Sequence, residues 1–145
     1  MSVTTMLMRL RTCARNRASV FETLLVVLLL SPLLLACGGI HDADAREAAA
    51  MTGGDPARGP ALMRKYGCQT CHTIPGVIGA DGLVGPPLTG IASRAYIAGV
   101  LPNAPDNMLR WIKDPKSVDS LTAMPNTGVT PSDARHIAAY LYTLK

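Results

Sequence analysis

The sequence predicts a small all-α domain preceded by an export segment. Three observations predict it. Stretches with apolar residues at helical spacing recur between residues 54 and 145, and none alternates polar and apolar residues as a strand would. The joints between those stretches are rich in Gly and Pro, which interrupt regular structure. The run Cys68-Gln69-Thr70-Cys71-His72 sits directly after the first helical stretch and ahead of a long Gly/Pro loop. There are no internal repeats.

That five-residue run carries chemistry. Cys-x-x-Cys-His is the signature of covalent c-type haem attachment. The two thiols add across the haem vinyl groups as thioethers, and His72 is placed to bind the iron from one face. Zinc would need four ligands, usually from a second pair. The other cysteines, Cys13 and Cys37, fall in the export segment, and His41 and His136 are single. A thioredoxin-type pair would follow a strand within a βαβ pattern; here the flanks are helical on one side and Gly/Pro-rich on the other. A structural disulfide leaves His72 unexplained. One covalently bound haem c is therefore the expected cofactor. Composition agrees: aromatics are 4%, with one Phe and one Trp, so a domain of this size has a modest core. A haem supplies the large apolar plate the sequence lacks, and the apo-domain is expected to be poorly folded.

In chain order, residues 1–36 read as a lipoprotein signal peptide. Arg9, Arg11, Arg15 and Arg17 form a basic start, and Leu24 to Leu30 is an unbroken apolar run. Leu34-Leu35-Ala36-Cys37 followed by Gly38-Gly39 resembles a bacterial lipobox, with Cys37 as the lipidated first residue. A retained span would need about 20 apolar residues, more than Leu24 to Ala36 offers. The true start lies at Met1, Met6 or Met8. Of the chain's 14 basic and 10 acidic groups, the signal takes four Arg and Glu22, which leaves 10 and 9, a net of +1. Two ionised haem propionates bring that to about −1. The mature chain thus has no basic patch and no expected nucleic-acid partner. Residues 37–53, rich in Ala, Asp and Gly, are expected to be a flexible tether, with a short helix through Ala45 to Met51 allowed.

The domain spans 54–145. Asp55-Pro56 predicts an N-cap and first turn, with Leu62, Met63 and Tyr66 on the apolar face and Gly67 at the end. Gly59, inside this helix, suits a close helix approach. Ile74 to Pro87 is a loop that can wrap one side of a flat ligand. Leu88 to Val100 is weakly helical and carries Arg94; Pro102 to Pro105 is a break. Asn107 to Asp114 is a short helix with Trp111, stopped by Pro115. Lys116 to Asn126 is irregular and contains Met124-Pro125. Thr130-Pro131-Ser132-Asp133 opens the last helix, whose stripe is Ala134, Ile137, Ala138, Leu141 and Leu144.

With these motifs assembled, the segment from about Gly54 to Lys145 resembles a class I c-type cytochrome. The resemblance implies three to five helices wrapped around one covalent haem, with crossed N- and C-terminal helices. It implies that the Pro86 carbonyl accepts a hydrogen bond from His72, and that Gly59 and Tyr140 meet where the terminal helices cross. Arg94 matches a position that often pairs with a haem propionate. Trp111, Pro115 and Met124 follow the family's order leading to a methionine ligand, with Trp111 lining the pocket. Met63 and Met108 lie on helices, where core packing is the default role. Met124 lies in an irregular segment free to present its sulfur, so His72 and Met124 are the expected iron ligands. Gly-Pro-Pro-Leu-Thr with Ser93-Arg94, then Asn103 to Pro115, also resembles the cytochrome domain fused to subunit II of some haem–copper oxidases.

A doubly ligated iron passes electrons but has no open position, so the implied protein is an electron carrier with no small-molecule substrate, and not an enzyme. Its expected setting is exported, periplasmic or extracytoplasmic, and lipid-anchored to a bacterial membrane through Cys37. The expected partner is a terminal oxidase; the alternative is a periplasmic dehydrogenase that it serves as the electron-accepting subunit. A gas sensor or haem catalyst would instead lack a usable methionine. Lys113 and Lys116 are candidates for orienting an acidic partner.

Overall fold

The structure, a computed structural model, describes residues 39–145. The expected signal peptide and Cys37 lie outside the described residues, as does Cys13. Among the described residues, four helices carry the fold: α1 (Gly39–Thr52), α2 (Gly59–Lys65), α3 (Pro105–Lys113) and α4 (Pro131–Tyr142). Short 3-10 turns cover Pro56–Arg58, Cys68–Thr70, Ile91–Ser93 and Pro115–Ser117. None of the described helices is long and apolar enough to cross a membrane.

Within the stretch 37–53, expected to be a tether with a short helix allowed over Ala45 to Met51, the structure has a longer helix over Gly39–Thr52. Its alanines favour the helix, and Ala48 and Thr52 are buried. Thr52 Oγ1 donates to the Ala48 carbonyl at 2.8 Å. Gly53, at φ 66°, ends the helix in the left-handed conformation. Near its other end, Lys145 Nζ reaches Asp44 at 2.6 Å and Glu47 at 3.2 Å. Alanine says little about burial, which is why the sequence reads as slack chain.

α2 starts as expected but in two steps. The Asp55 side chain accepts from the Ala57 N–H at 2.9 Å, a 3-10 turn follows, and Gly59 opens the α-helix. Here α2 crosses α4. A Cβ on Gly59 would lie 2.8 Å from Tyr140 Cγ and closer still to Tyr140 Cβ, so only glycine allows this approach. α4 is capped as predicted, Thr130 accepting from the Asp133 N–H at 3.1 Å. Its buried face holds Ala134, Ile137, Ala138 and Leu141, joined by Ala139 and Tyr142.

Two stretches differ from expectation. Leu88 to Val100 is not helical beyond the Ile91–Ser93 turn. Tyr96–Ile97 (β1) and Leu101–Pro102 (β2) instead form an antiparallel hairpin, with Tyr96 opposite Pro102 and Ile97 opposite Leu101. Ala98 (φ 51°) and Gly99 (φ 76°) make its turn, as tight hairpins require. Strands of two residues are too short to show alternation. α3 begins at Pro105 rather than Asn107, because proline at the first helical position starts a helix as readily as it breaks one. Met63, Met108, Ile137 and Pro115 are the largest fully buried side chains.

Candidate cofactor site

Gly67, at φ 78°, turns the chain out of α2 and straight into the Cys68–Thr70 turn. The amides of Cys71 and His72 both donate to the Cys68 carbonyl, at 3.3 and 3.1 Å. That winding brings both thiols and the imidazole to one cavity. Cys68 and Cys71 are free thiols, each partly buried. Burial pushes the Cys68 thiol pKa up, since the thiolate is the form that loses hydration.

His72 is fixed from two sides. Its Nδ1 lies 2.7 Å from the Pro86 carbonyl. A carbonyl only accepts, so Nδ1 is the donor in this bond, which leaves Nε2 as the ring nitrogen available to a ligand-binding role. Gly85 closes on the ring: a Cβ there would stand 2.7 Å from His72 Nδ1. The Gly85 amide donates to Cys71 O at 2.8 Å. The Gly/Pro loop is therefore built, not slack. Ile74, Val77 and Ala80 are buried, Thr73 Oγ1 donates to Gly82 O at 3.2 Å, and the Tyr140 hydroxyl donates to Pro75 O at 2.6 Å.

The cavity measures about 680 Å³, and its walls are mostly apolar. The seven residues expected from the sequence to hold or face the cofactor all line it: Cys68, Cys71, His72, Pro86, Arg94, Trp111 and Met124. Met63 and Met108 line it too, but both are buried on helices, whereas Met124 is partly exposed in the irregular segment. The Met124 amide donates to Thr122 Oγ1 at 3.2 Å, and Lys116 Nζ donates to Thr122 O at 3.1 Å. Among the described residues, no three His, Cys, Asp or Glu side chains converge to hold a bare metal ion.

Arg94 makes contacts the sequence did not announce. Its Nη2 donates to the carbonyls of Pro87, at 2.5 Å, and Thr89, at 3.0 Å. Asn103 supports it from behind. Asn103 Nδ2 donates to Ile91 O at 2.8 Å and Arg94 O at 2.9 Å, while Oδ1 accepts from the Tyr142 hydroxyl at 2.9 Å. A chain of hydrogen bonds thus runs from α4 to the loop that holds His72. Gly85 and Asn103 were not singled out from sequence. The Gly-Pro pair was a signal for Gly85; Asn103 gave none, because its partners are distant in sequence.

These residues fit a covalently held haem. The apolar walls suit a flat macrocycle, two thiols stand at one wall, and an imidazole nitrogen and a thioether sulfur share the space. The volume is within the roughly 300–1,000 Å³ typical of ligand sites.

Comparison with known proteins agrees with that fit. The family model described as "Cytochrome c" matches residues 56–145. "Cytochrome c oxidase subunit 2" of Alkalihalophilus pseudofirmus is 33% identical over 89 residues, which cover 61% of this chain and 25% of that protein. The chain thus spans about a quarter of that relative's length. No solved structure matches.

Proposed function

The chain belongs to the cytochrome c family, and from that premise we propose that it is a membrane-tethered monohaem carrier that hands single electrons to a terminal oxidase. It is a class I c-type cytochrome with an all-α fold, it binds haem c covalently, and its business is electron transfer. The finer assignments are our reading of the site.

Cys68 and Cys71 would hold the haem through their sulfurs. His72 would offer Nε2 to the iron, its ring oriented by the Nδ1 contact with Pro86 O. Met124 would offer its sulfur as the second ligand. Trp111 walls the pocket. Arg94 stands at the cavity wall, positioned to face a propionate, while it braces the Pro87 and Thr89 carbonyls. When bound, haem c supplies one-electron iron chemistry, and His/Met ligation favours a raised potential. With the group bound, His72 and Met124 would both be taken up as its ligands, and the apolar walls would exclude water from it.

The observation that carries this reading is the pairing of a fixed His72, with Nδ1 bound to Pro86 O, and Met124 in one apolar cavity. The test is the far-red absorption of the oxidised protein. A methionine-sulfur-to-iron band should be present, and it should vanish in Met124→Ala. If the native protein lacks the band and binds carbon monoxide rapidly when reduced, the closed-site reading is wrong.

The tether and the partner rest on less. The lipobox-like Leu34-Leu35-Ala36-Cys37 supports export and lipid anchoring at Cys37, facing the periplasm or the extracytoplasmic side. Mass spectrometry of the mature N-terminus tests it, and Cys37→Ala should release the protein from membranes. The likeness to an oxidase subunit favours an oxidase as electron acceptor. Oxygen uptake driven by the reduced protein and a purified haem–copper oxidase would check that.

A further inference from the structure

Pro86 O orients His72, yet the Pro86-Pro87 pair has no amide N–H of its own to tie it down. Its flanks are fixed by the Gly85 amide on Cys71 O and the Leu88 amide on Thr73 O, at 2.8 and 2.9 Å. Between those two bonds only carbonyls can be held. His72 takes Pro86 O, and Arg94 takes Pro87 O and Thr89 O. A side chain as long as arginine loses much rotamer freedom when it is held still. The grip of Arg94 on the loop therefore depends on where its own backbone is fixed.

Asn103 fixes it. Arg94 ends the Ile91–Ser93 turn, whose closing bond, from the Arg94 amide to Ile91 O, is long at 3.3 Å. Asn103 Nδ2 gives both of its protons to this turn, one to Ile91 O at 2.8 Å and one to Arg94 O at 2.9 Å. The Asn103 backbone N–H adds a bond to Ala95 O at 3.0 Å. Carbonyls only accept, so Nδ2 faces them and Oδ1 faces away. There Oδ1 meets the Tyr142 hydroxyl at 2.9 Å. Tyr142 is buried on α4, and burial raises its pKa, which keeps the proton it donates. Neither Asn103 nor Tyr142 lines the cavity. The interior of α4 thus sets the direction of one amide, that amide sets Arg94, and Arg94 sets the carbonyls beside Pro86.

We propose that Asn103 and Tyr142 are positioning residues for His72. Through Arg94 and the Pro86-Pro87 segment they hold the contact between Nδ1 and Pro86 O, and so set the basicity of the ring and the reduction potential of the loaded protein. This rests on the His72 ligation proposed above and adds residues outside the cavity that control it. A hydrogen bond from one ring nitrogen makes the other a more basic ligand. Loosening that bond weakens support for the oxidised state, so the potential rises. Water entering the cavity would favour the oxidised charge and lower it. The two causes differ in sign.

The test uses the haem-loaded full chain as native protein, Tyr142→Phe, Asn103→Leu and a control, Ala139→Gly. Ala139 is buried on α4 outside the cavity, and glycine there weakens the helix without touching the network. NMR of the reduced protein follows deuterium exchange of the His72 Nδ1 proton, and an equilibrium titration gives the potential. Tyr142→Phe should speed the exchange about fivefold and Asn103→Leu about thirtyfold. Both should raise the potential, Asn103→Leu by more. Ala139→Gly should lower the unfolding midpoint and leave exchange and potential unchanged. Equal exchange in native and Tyr142→Phe protein overturns the proposal, whether or not Asn103→Leu folds. So does exchange that follows the unfolding midpoint in every variant, Ala139→Gly included, because the two residues then serve stability alone. A potential that stays or falls overturns it as well, a fall being the mark of water in the cavity. Native His72 resonances without the large upfield shift of a ring bound over a haem face would defeat the ligation reading, and this proposal with it. Where that shift is present, the other outcomes judge the positioning role alone.

Discussion

The two sides of the cavity are built differently. On the His72 side, glycines close against the motif, backbone amides tie the loop to Cys71 and Thr73, and Tyr140 reaches across from α4 to Pro75. On the Met124 side the chain from Asp119 to Val129 has no regular element, and its local order comes largely from side-chain oxygens. Thr122 Oγ1 takes the Met124 amide, Asp119 Oδ1 takes the Leu121 amide at 3.0 Å, and Asn126 Oδ1 takes the Gly128 amide at 3.0 Å. One side is fixed by the fold, and the other by a few local hydrogen bonds. On the proposed ligation, the methionine should be the ligand that yields first.

Removing that ligand should have the largest effect. Met124→Ala should lower the reduction potential by a sizeable part of the roughly 0.8 V over which axial ligation ranges, and equilibrium titration reads it directly. Next comes a steric attack on the fixed side. Gly59→Val places atoms where Tyr140 already stands, and overpacking of that kind costs about 1–3 kcal/mol or more. Thermal unfolding should fall by several degrees; an unchanged midpoint would show that the helix crossing is not fixed after all.

The paired test is gentler. Thr122→Val removes the hydroxyl that holds the Met124 amide, worth about 1 kcal/mol, and should raise cyanide affinity for the oxidised protein several-fold. Gly85→Ala, which crowds the His72 ring, should destabilise the fold without a comparable gain in cyanide affinity. If both variants bind cyanide equally, the asymmetry between the two sides is gone.

The smallest effect is in acid. The Tyr66 hydroxyl, 2.7 Å from Asp133 Oδ2, and the Lys65 ammonium lower the Asp133 pKa. A depressed folded pKa contributes stability that is whole above the ordinary carboxylate range and lost as pH falls through the lowered value. Asp133→Asn should therefore flatten the acid limb of a stability–pH profile by a small amount, because Lys65 is exposed to solvent.

The parts that sequence revealed are those whose cause is local. Cys68, Cys71 and His72 form one turn, and Thr130 and Asp55 cap the helices that follow them. Met124's place on the cavity wall was legible because it lies beside proline in an irregular stretch, where no helix dictates the direction of its side chain. The hidden parts have distant causes. Gly82 and Gly85 look like ordinary loop glycines until the motif they close against is folded beside them. Asn103 bonds residues from Ile91 to Tyr142, and no pattern of spacing announces that. The hairpin at Tyr96–Pro102 is fixed by two residues of positive φ, one of them an alanine, which sequence does not predict. The Ala-rich α1 depends for its place on distant partners, the ion pairs to Lys145 and the burial of Ala48 and Thr52, which its own sequence does not announce.

That last dependence makes α1 a segment fastened by two kinds of force. Toward its start, Lys145 is gripped by Asp44 and Glu47, which raise the lysine pKa; these are surface ion pairs, screened within a Debye length of about 8 Å at physiological ionic strength. Toward its end, Ala48 and Thr52 are seated by burial and Arg135 donates to Thr52 O at 3.3 Å, contacts that salt weakens little. Rising ionic strength should therefore peel the helix from the Asp44 end first, with Gly53 as the hinge.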